Sequence, residues 1–266
     1  MKLLPRTSER LEPAYVTSRR QILEHLGRYV FAWQHLKGNT VLDIACATGY
    51  GSNFLFRKGS ASVTGADLSE KVIAYAKGRY IKDGLNFVVG DAQHVPFPDS
   101  SFDSVVSMET IEHLPDYQEY LRECKRVLRP GGVFICSTPN KNVSMPVTGE
   151  PNPFHIKEFT SEEFDHSLSQ YFNHVTLYGY MHWKHKSAKD RIINVPVEML
   201  YSLPGVLQTV SLSIIAFSTR FVLKDYHPLS LENIDEEDFD NFITESYKTF
   251  PLETAIPQYF LAVGYK

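Results

Sequence analysis

Three aspartates, Asp43, Asp67 and Asp91, sit within or directly after three successive apolar runs, TVLDIA, ASVTGADL and LNFVVGDA. The first run leads into Cys46-Ala47-Thr48-Gly49-Tyr50-Gly51, a turn of small residues. Such a turn between a strand and a helix lets backbone N–H groups come close to a nucleotide-like ligand. An acid ending the second strand can accept hydrogen bonds from both hydroxyls of a ribose. An acid ending the third can take one from an exocyclic amine. Each aspartate alone reads as easily as a helix cap or turn former. Taken in order, the three outline a site for an adenosine-bearing molecule.

A second constellation follows the fourth apolar run. Glu109, Glu112 and His113 stand at i, i+3 and i+4, and a helix over this segment would turn all three to one side. His155 comes later, inside NPFHIKEF. Two carboxylates and two histidines beside a bound molecule suit a divalent cation, with Mg²⁺ or Mn²⁺ favoured by carboxylates and Zn²⁺ admitted by the histidines. The same residues also suit metal-free catalysis, with His113 or His155 as base and Glu112 beside them. A purely structural role is the third reading.

The elements that must position these groups alternate. QILEHLGRYVFAWQHL has helical spacing and ends before Lys37-Gly38-Asn39. The three runs above read as strands, with helices NFLFRKG and SEKVIAYAKGRY between them, the latter capped by Ser69. FDSVVSME is a fourth strand, DYQEYLRECKRVL a helix ended by Arg129-Pro130-Gly131-Gly132, and VFICSTP a fifth strand. Alternation at this spacing predicts a parallel sheet with helices on both faces. Beyond Pro139 a capping box, Thr160 to Glu163, opens another helix. HVTLYGY and QYFLAVGYK read as the last two strands, bracketing residues 181–257 as an insertion. The expected organisation is a helical cap over 1–38, a core over 39–180, the insertion over 181–257, and the last core strand over 258–266.

VLDIACATGYGS, VTGADLSEKVIAYAK, FVVGDAQHVPFPDSSFDSVVSMETIEHL and VLRPGGVFICSTPN together resemble the successive motifs of class I S-adenosylmethionine-dependent methyltransferases. The resemblance runs from about Val41 to Asn140 and carries four motifs in order. It implies an α/β, Rossmann-like fold, with a seven-stranded mostly parallel sheet and the insertion before the last strand. It also implies S-adenosylmethionine as cofactor. By position, Asp43, Ala45, Cys46, Ala47 and Gly49 would meet its methionine part, Asp67 the ribose, Leu68 the adenine face, Asp91 and Ala92 the adenine amine. Met108 would lie near the sulfonium. The N-terminal helix folds over the cofactor in such enzymes, where Arg28 reads either as a partner for its carboxylate or as a surface arginine. The family's D/E-x-G-x-G-x-G reads here Asp43-x-Ala45-x-Ala47-x-Gly49, so two glycines are replaced by alanine. Glu-x-x-Glu-His with a later histidine resembles ubiquinone-pathway O-methyltransferases and small-RNA 2′-O-methyltransferases, which place a metal there.

Composition limits the rest. With 27 basic and 31 acidic residues the net charge is −4, which argues against a general nucleic-acid binder. Hydrophobic residues at 43% exclude disorder over most of the chain. Three cysteines without C-x-x-C spacing, and no apolar leader after Met1, fit a reducing, cytoplasmic setting. Met199 to Thr219 carries no charge, near the length that spans a bilayer, but Pro204 and Gln208 dilute it. It reads as buried helices of the insertion or as a homo-oligomer face; contact with a membrane surface or lipid-linked substrate is the alternative. The acidic run Asp235 to Asp238 reads as a solvated face. The leading expectation is methyl transfer to a hydroxyl of a small molecule or a sugar or glycan intermediate. A nicotinamide-type oxidoreductase and a methyltransferase-like binding subunit without turnover are the competing classes.

Overall fold

A computed structural model describes residues 19–144, 152–182, 247–250 and 258–266. Helix α1 (Arg19–His35) precedes an alternating series: β1 (Thr40–Ile44), α2 (Tyr50–Arg57), β2 (Ser62–Asp67), α3 (Glu70–Tyr80), β3 (Leu85–Val89) and β4 (Phe102–Met108). A single 3-10 turn (Ile111–His113), α4 (Tyr117–Val127), β5 (Leu128–Pro139), the short α5 (Lys141–Ser144) and α6 (Ser161–Ser169) follow. Strands β6 (Asn173–His182), β7 (Tyr247–Phe250) and β8 (Tyr259–Tyr265) complete the order.

All the strands form one sheet in the order β3-β2-β1-β4-β5-β8-β6-β7. The first five are mutually parallel, and β8 runs antiparallel between β5 and β6. Seven strands are those expected; the edge strand β7 is an eighth, paired antiparallel with β6 from within the segment read as an insertion. An antiparallel strand here departs from the all-parallel 3-2-1-4-5-6 order of dinucleotide-binding sheets. The rest of the insertion, with Met199 to Thr219 and the acidic run, lies outside the described residues. No described helix is long and apolar enough to cross a membrane.

Two apolar layers hold the sheet. On one face α1, α2 and α3 pack Leu26, Tyr29, Phe54, Leu55, Ile73 and Ala76 onto Val41, Val63 and Val106. On the other, Tyr120, Leu121, Cys124 and Val127 of α4 meet Leu42, Val105 and Phe134, joined by Phe164 and Leu168 of α6. The i, i+1, i+4, i+7 spacing of the α4 set makes one apolar stripe. Asp116 starts that helix by accepting a hydrogen bond from the Glu119 N–H at 2.9 Å. Thr160 and Glu163 form the expected capping box of α6. Ser69 makes no side-chain cap on α3; its own N–H instead donates to Asp67 Oδ1 at 2.9 Å.

Candidate active site

The carboxyl ends of β1 to β4 and the inner face of α1 enclose a cavity of about 380 Å³. Its lining includes Ala45, Cys46 and Ala47 after β1, Asp67 and Leu68 at the end of β2, and Asp91 and Ala92 beyond β3. Met108 at the end of β4, with Glu109 and His113 beyond it, closes another side. One space thus brings together most of the residues singled out in sequence. Leu68 is 70% exposed, an apolar side chain held open at the rim.

The turn after β1 is strained where the alanines stand. Ala45 has φ 58° and Ala47 φ 47°, the left-handed region that glycine enters without cost. The missing glycines therefore bear on backbone strain as well as on clearance. Asp67 ties this turn to β2, its Oδ2 accepting from the Ala47 N–H at 3.1 Å. Gly49, at φ 83°, caps α2 without lining the cavity; a Cβ there would stand 2.7 Å from Phe87.

Asp43 also does not line the cavity. It is fully buried, accepting from Ser52 Oγ at 2.6 Å and Tyr29 Oη at 3.2 Å, and so joins β1 to α1 and α2. Burial pushes its carboxyl up to about 7, against the pull of both hydroxyls and helped by the charge of Asp67. Asp43 thus holds the elements beneath the cavity together.

The acidic helical face expected over Glu109, Glu112 and His113 does not form. Glu109 takes φ 52°, and the segment beyond is one 3-10 turn rather than a helix. Its side chain goes to Ser137, whose Oγ donates to Oε1 at 2.6 Å, and lies 3.9 Å from Arg28 Nε. Glu112, His113 and His155 do converge, with one ligand atom from each all within 4.8 Å of one another. Glu109, the fourth residue read with them, is not in this group. Glu112 is buried; Thr138 Oγ1 donates to its Oε2 at 3.1 Å, and Oε1 has no hydrogen-bond partner, with His113 Nε2 3.9 Å away. Burial first, then the charge of Glu109, raises its carboxyl well above the usual range. His113 Nδ1 lies 2.9 Å from the Phe154 carbonyl oxygen, and His155 Nδ1 lies 2.7 Å from Glu158 Oε1.

Seven cavity residues were not assigned to the site from sequence: His25, Tyr29, Tyr50, Gly90, Thr110, Leu114 and Phe154. His25 and Tyr29 sit four apart on α1, and the Tyr50 hydroxyl meets His25 Nδ1 at 3.2 Å. Polar side chains recurring on an otherwise apolar helical face were the available signal.

Residues 42–136 match the family model described as methyltransferase domain. This part of the chain is similar to methyltransferase domains, and the fold around it is that of class I methyltransferases. A Mycolicibacterium smegmatis protein named "probable S-adenosylmethionine-dependent methyltransferase" is 36% identical over 62% of this chain and 63% of its own length. A fatty-acid O-methyltransferase of the same organism is 36% identical over 46% of this chain and 48% of its own. The chain thus spans between about half and two thirds of these curated relatives. The structure of a SAM dependent methyltransferase from Archaeoglobus fulgidus superposes with a TM-score of 0.56 at 19% identity. That match covers 94% of this chain and 95% of the other, and is a likeness of fold.

Proposed function

We propose that this chain binds S-adenosylmethionine and directs its methyl group to an oxygen, the hydroxyl of a small molecule or of a sugar or glycan intermediate. One observation carries the reading: Asp67 and Asp91, at the ends of neighbouring strands, line the same cavity as His113. The residues present fit the cofactor. Asp67 is positioned for ribose hydroxyls, Leu68 for a flat apolar base, and Asp91 for an exocyclic amine. When bound, the cofactor supplies a methyl group that an oxygen nucleophile can accept in line. The chain's own work is alignment and proton removal. A carbonyl oxygen can only accept, so His113 Nδ1 carries the proton toward Phe154 and Nε2 is the basic atom. Phe154, 52% exposed at the rim, offers an apolar face to the rest of an acceptor. Transfer to oxygen also agrees with the relative that is named a fatty-acid O-methyltransferase.

The test pairs two measurements. Calorimetry should detect S-adenosylhomocysteine and not NAD. Labelled S-adenosylmethionine offered with sugar nucleotides, phenols and fatty acids should mark a hydroxyl-bearing acceptor. Binding of NAD alone would sink the reading.

The convergence of Glu112, His113 and His155 favours a second version, in which these three hold a divalent cation beside the acceptor oxygen. Glu158 on His155 and the Phe154 carbonyl on His113 are the outer partners such ligands need. In that version Glu112, His113 and His155 would hold the ion, which would lower the pKa of a hydroxyl beside it so that solvent could take the proton, and His113 would serve as a ligand.

A further inference from the structure

The loop that carries Phe154 turns its polar side chains on one another. Asn152 Oδ1 accepts from the Phe154 N–H at 3.0 Å, and the Asn152 amide donates to His155 Nε2 at 3.0 Å. His155 Nδ1 in turn donates to Glu158 Oε1 at 2.7 Å. Lys157 Nζ donates to Tyr117 Oη at 3.1 Å and lies over the rings of Tyr117 and Phe159. The backbone is bonded too: the His155 N–H donates to the Asn152 carbonyl, and those of Ile156 and Lys157 to the Glu112 carbonyl.

The side chains of Phe154 and Ile156 take no part in this network. They are 52% and 60% exposed, although hydrogen bonds fix the backbone at both residues. Phe154 lines the cavity with His113 and Leu114, and Ile156 is tied to the carbonyl of the residue just before His113. Apolar surface thus continues from the cavity outward across the loop. Large apolar side chains left in water forfeit stabilisation that a ligand covering them recovers.

This surface discriminates between acceptors. A sugar carries hydroxyls on every edge, and each one taken from water needs a hydrogen-bond partner. The polar side chains of the loop are already engaged with one another or with Tyr117. A run of methylenes needs no such partner and gains from contact with Phe154 and Ile156.

We propose that this loop selects an acceptor whose reacting oxygen ends an aliphatic chain, the chain lying across Phe154 and Ile156. This rests on the oxygen-transfer reading above and narrows its acceptor to an amphiphile, in its simplest form a long-chain alcohol, in place of a sugar. Phe154 and Ile156 then set specificity, while His113 meets the oxygen.

Calorimetry on S-adenosylhomocysteine-saturated protein tests this with n-hexanol, n-octanol and n-decanol, and with methyl glucoside as a polyol without a chain. Affinity should rise about twofold per methylene, since a rim open to water buries only part of each group. The glucoside should bind more weakly than any of the alcohols. Phe154→Ser and Ile156→Ser should each flatten the rise, with the affinity for S-adenosylhomocysteine unchanged. Equal affinity for the three alcohols, or tighter binding of the glucoside, overturns the proposal and leaves the cofactor reading standing. A rise with chain length that both variants keep places the chain elsewhere and overturns it too. So does a flat wild-type series in which both variants melt lower, for then another part of this chain covers the two residues. Failure to bind S-adenosylhomocysteine overturns the cofactor reading, and the proposal with it. Should Phe154→Ser fail to fold, Ile156→Ser, changed at an exposed position, carries the comparison.

Discussion

His113 Nδ1 lies 2.9 Å from the carbonyl oxygen of Phe154, a residue 41 positions away in sequence. The loop that carries Phe154 is itself pinned, with the N–H groups of Ile156 and Lys157 donating to the Glu112 carbonyl at 2.8 and 3.1 Å. The ring is thereby held in one orientation before any ligand arrives. His113→Ala should lower kcat by about 10²–10⁴-fold, the range for loss of a general base, with the affinity for S-adenosylhomocysteine nearly unchanged. A variant that kept wild-type turnover would remove His113 from proton transfer.

Chelation separates the two versions of the chemistry. If Glu112, His113 and His155 hold an ion, EDTA should abolish turnover, Mg²⁺ or Mn²⁺ should restore it, and cofactor binding should persist. Glu112→Gln should then mimic EDTA. Without an ion, burial disfavours the charged form of Glu112, and glutamine is an uncharged replacement of nearly the same shape. Glu112→Gln activity within about threefold of wild type, together with insensitivity to EDTA, would exclude the cation.

The left-handed alanines predict a gain of stability. Ala45→Gly and Ala47→Gly should each stabilise the fold by about 0.5–1 kcal/mol, because removing Cβ at positive φ relieves more than the added chain entropy costs. Thermal melts should rise by about 2 °C per substitution. Unchanged or lower melting would mean that the strain is absorbed elsewhere.

Asp67→Ala should weaken S-adenosylmethionine binding by about 1.5–3 kcal/mol, the value of hydrogen bonds to a charged acceptor. It should also melt lower than wild type, since the N–H groups of Ala47 and Ser69 both lose their acceptor. Calorimetry showing unchanged affinity would take Asp67 out of the ribose site.

Asp43 gives a pH signature. Its carboxyl titrates near 7 in the folded chain, against 3.8 as the ordinary value, so the fold holds the extra proton between those limits. Its contribution to stability is therefore greatest at low pH and is lost as pH rises from about 4 to 7. Asp43→Asn removes that loss. Measured against wild type, the variant's melting temperature should improve between pH 5 and pH 8. A difference that is constant with pH would place the ionisation elsewhere.

The sheet was legible because its first five strands are short apolar runs, and the first two are each followed directly by a helix. The cofactor side was legible for the same reason, since ends of neighbouring parallel strands must adjoin. The acceptor side was not. Spacing put Glu109 with Glu112 and His113, but β4 ends at Met108 and Glu109 turns through a left-handed conformation that no pattern of side chains announces. The hydroxyls that hold Asp43 were hidden in another way: Ser52 and Tyr29 lie 9 and 14 positions away on separate helices, and no spacing rule joins them to the strand. The strand β7 was hidden inside a segment with no period of two clear enough to extract.

The position of β8 has a consequence for how the chain is made. It follows β6 and β7 in synthesis but sits between β5 and β6 in the sheet. Until residues 259–265 leave the ribosome, β5 and β6 each keep an unpaired edge, and the two halves of the sheet have no strand to join them. Assembly thus ends in one late insertion, during which a long apolar edge stands open to other nascent chains. Translation that stalls before Tyr259 should leave the methyltransferase core nearly built and prone to aggregate.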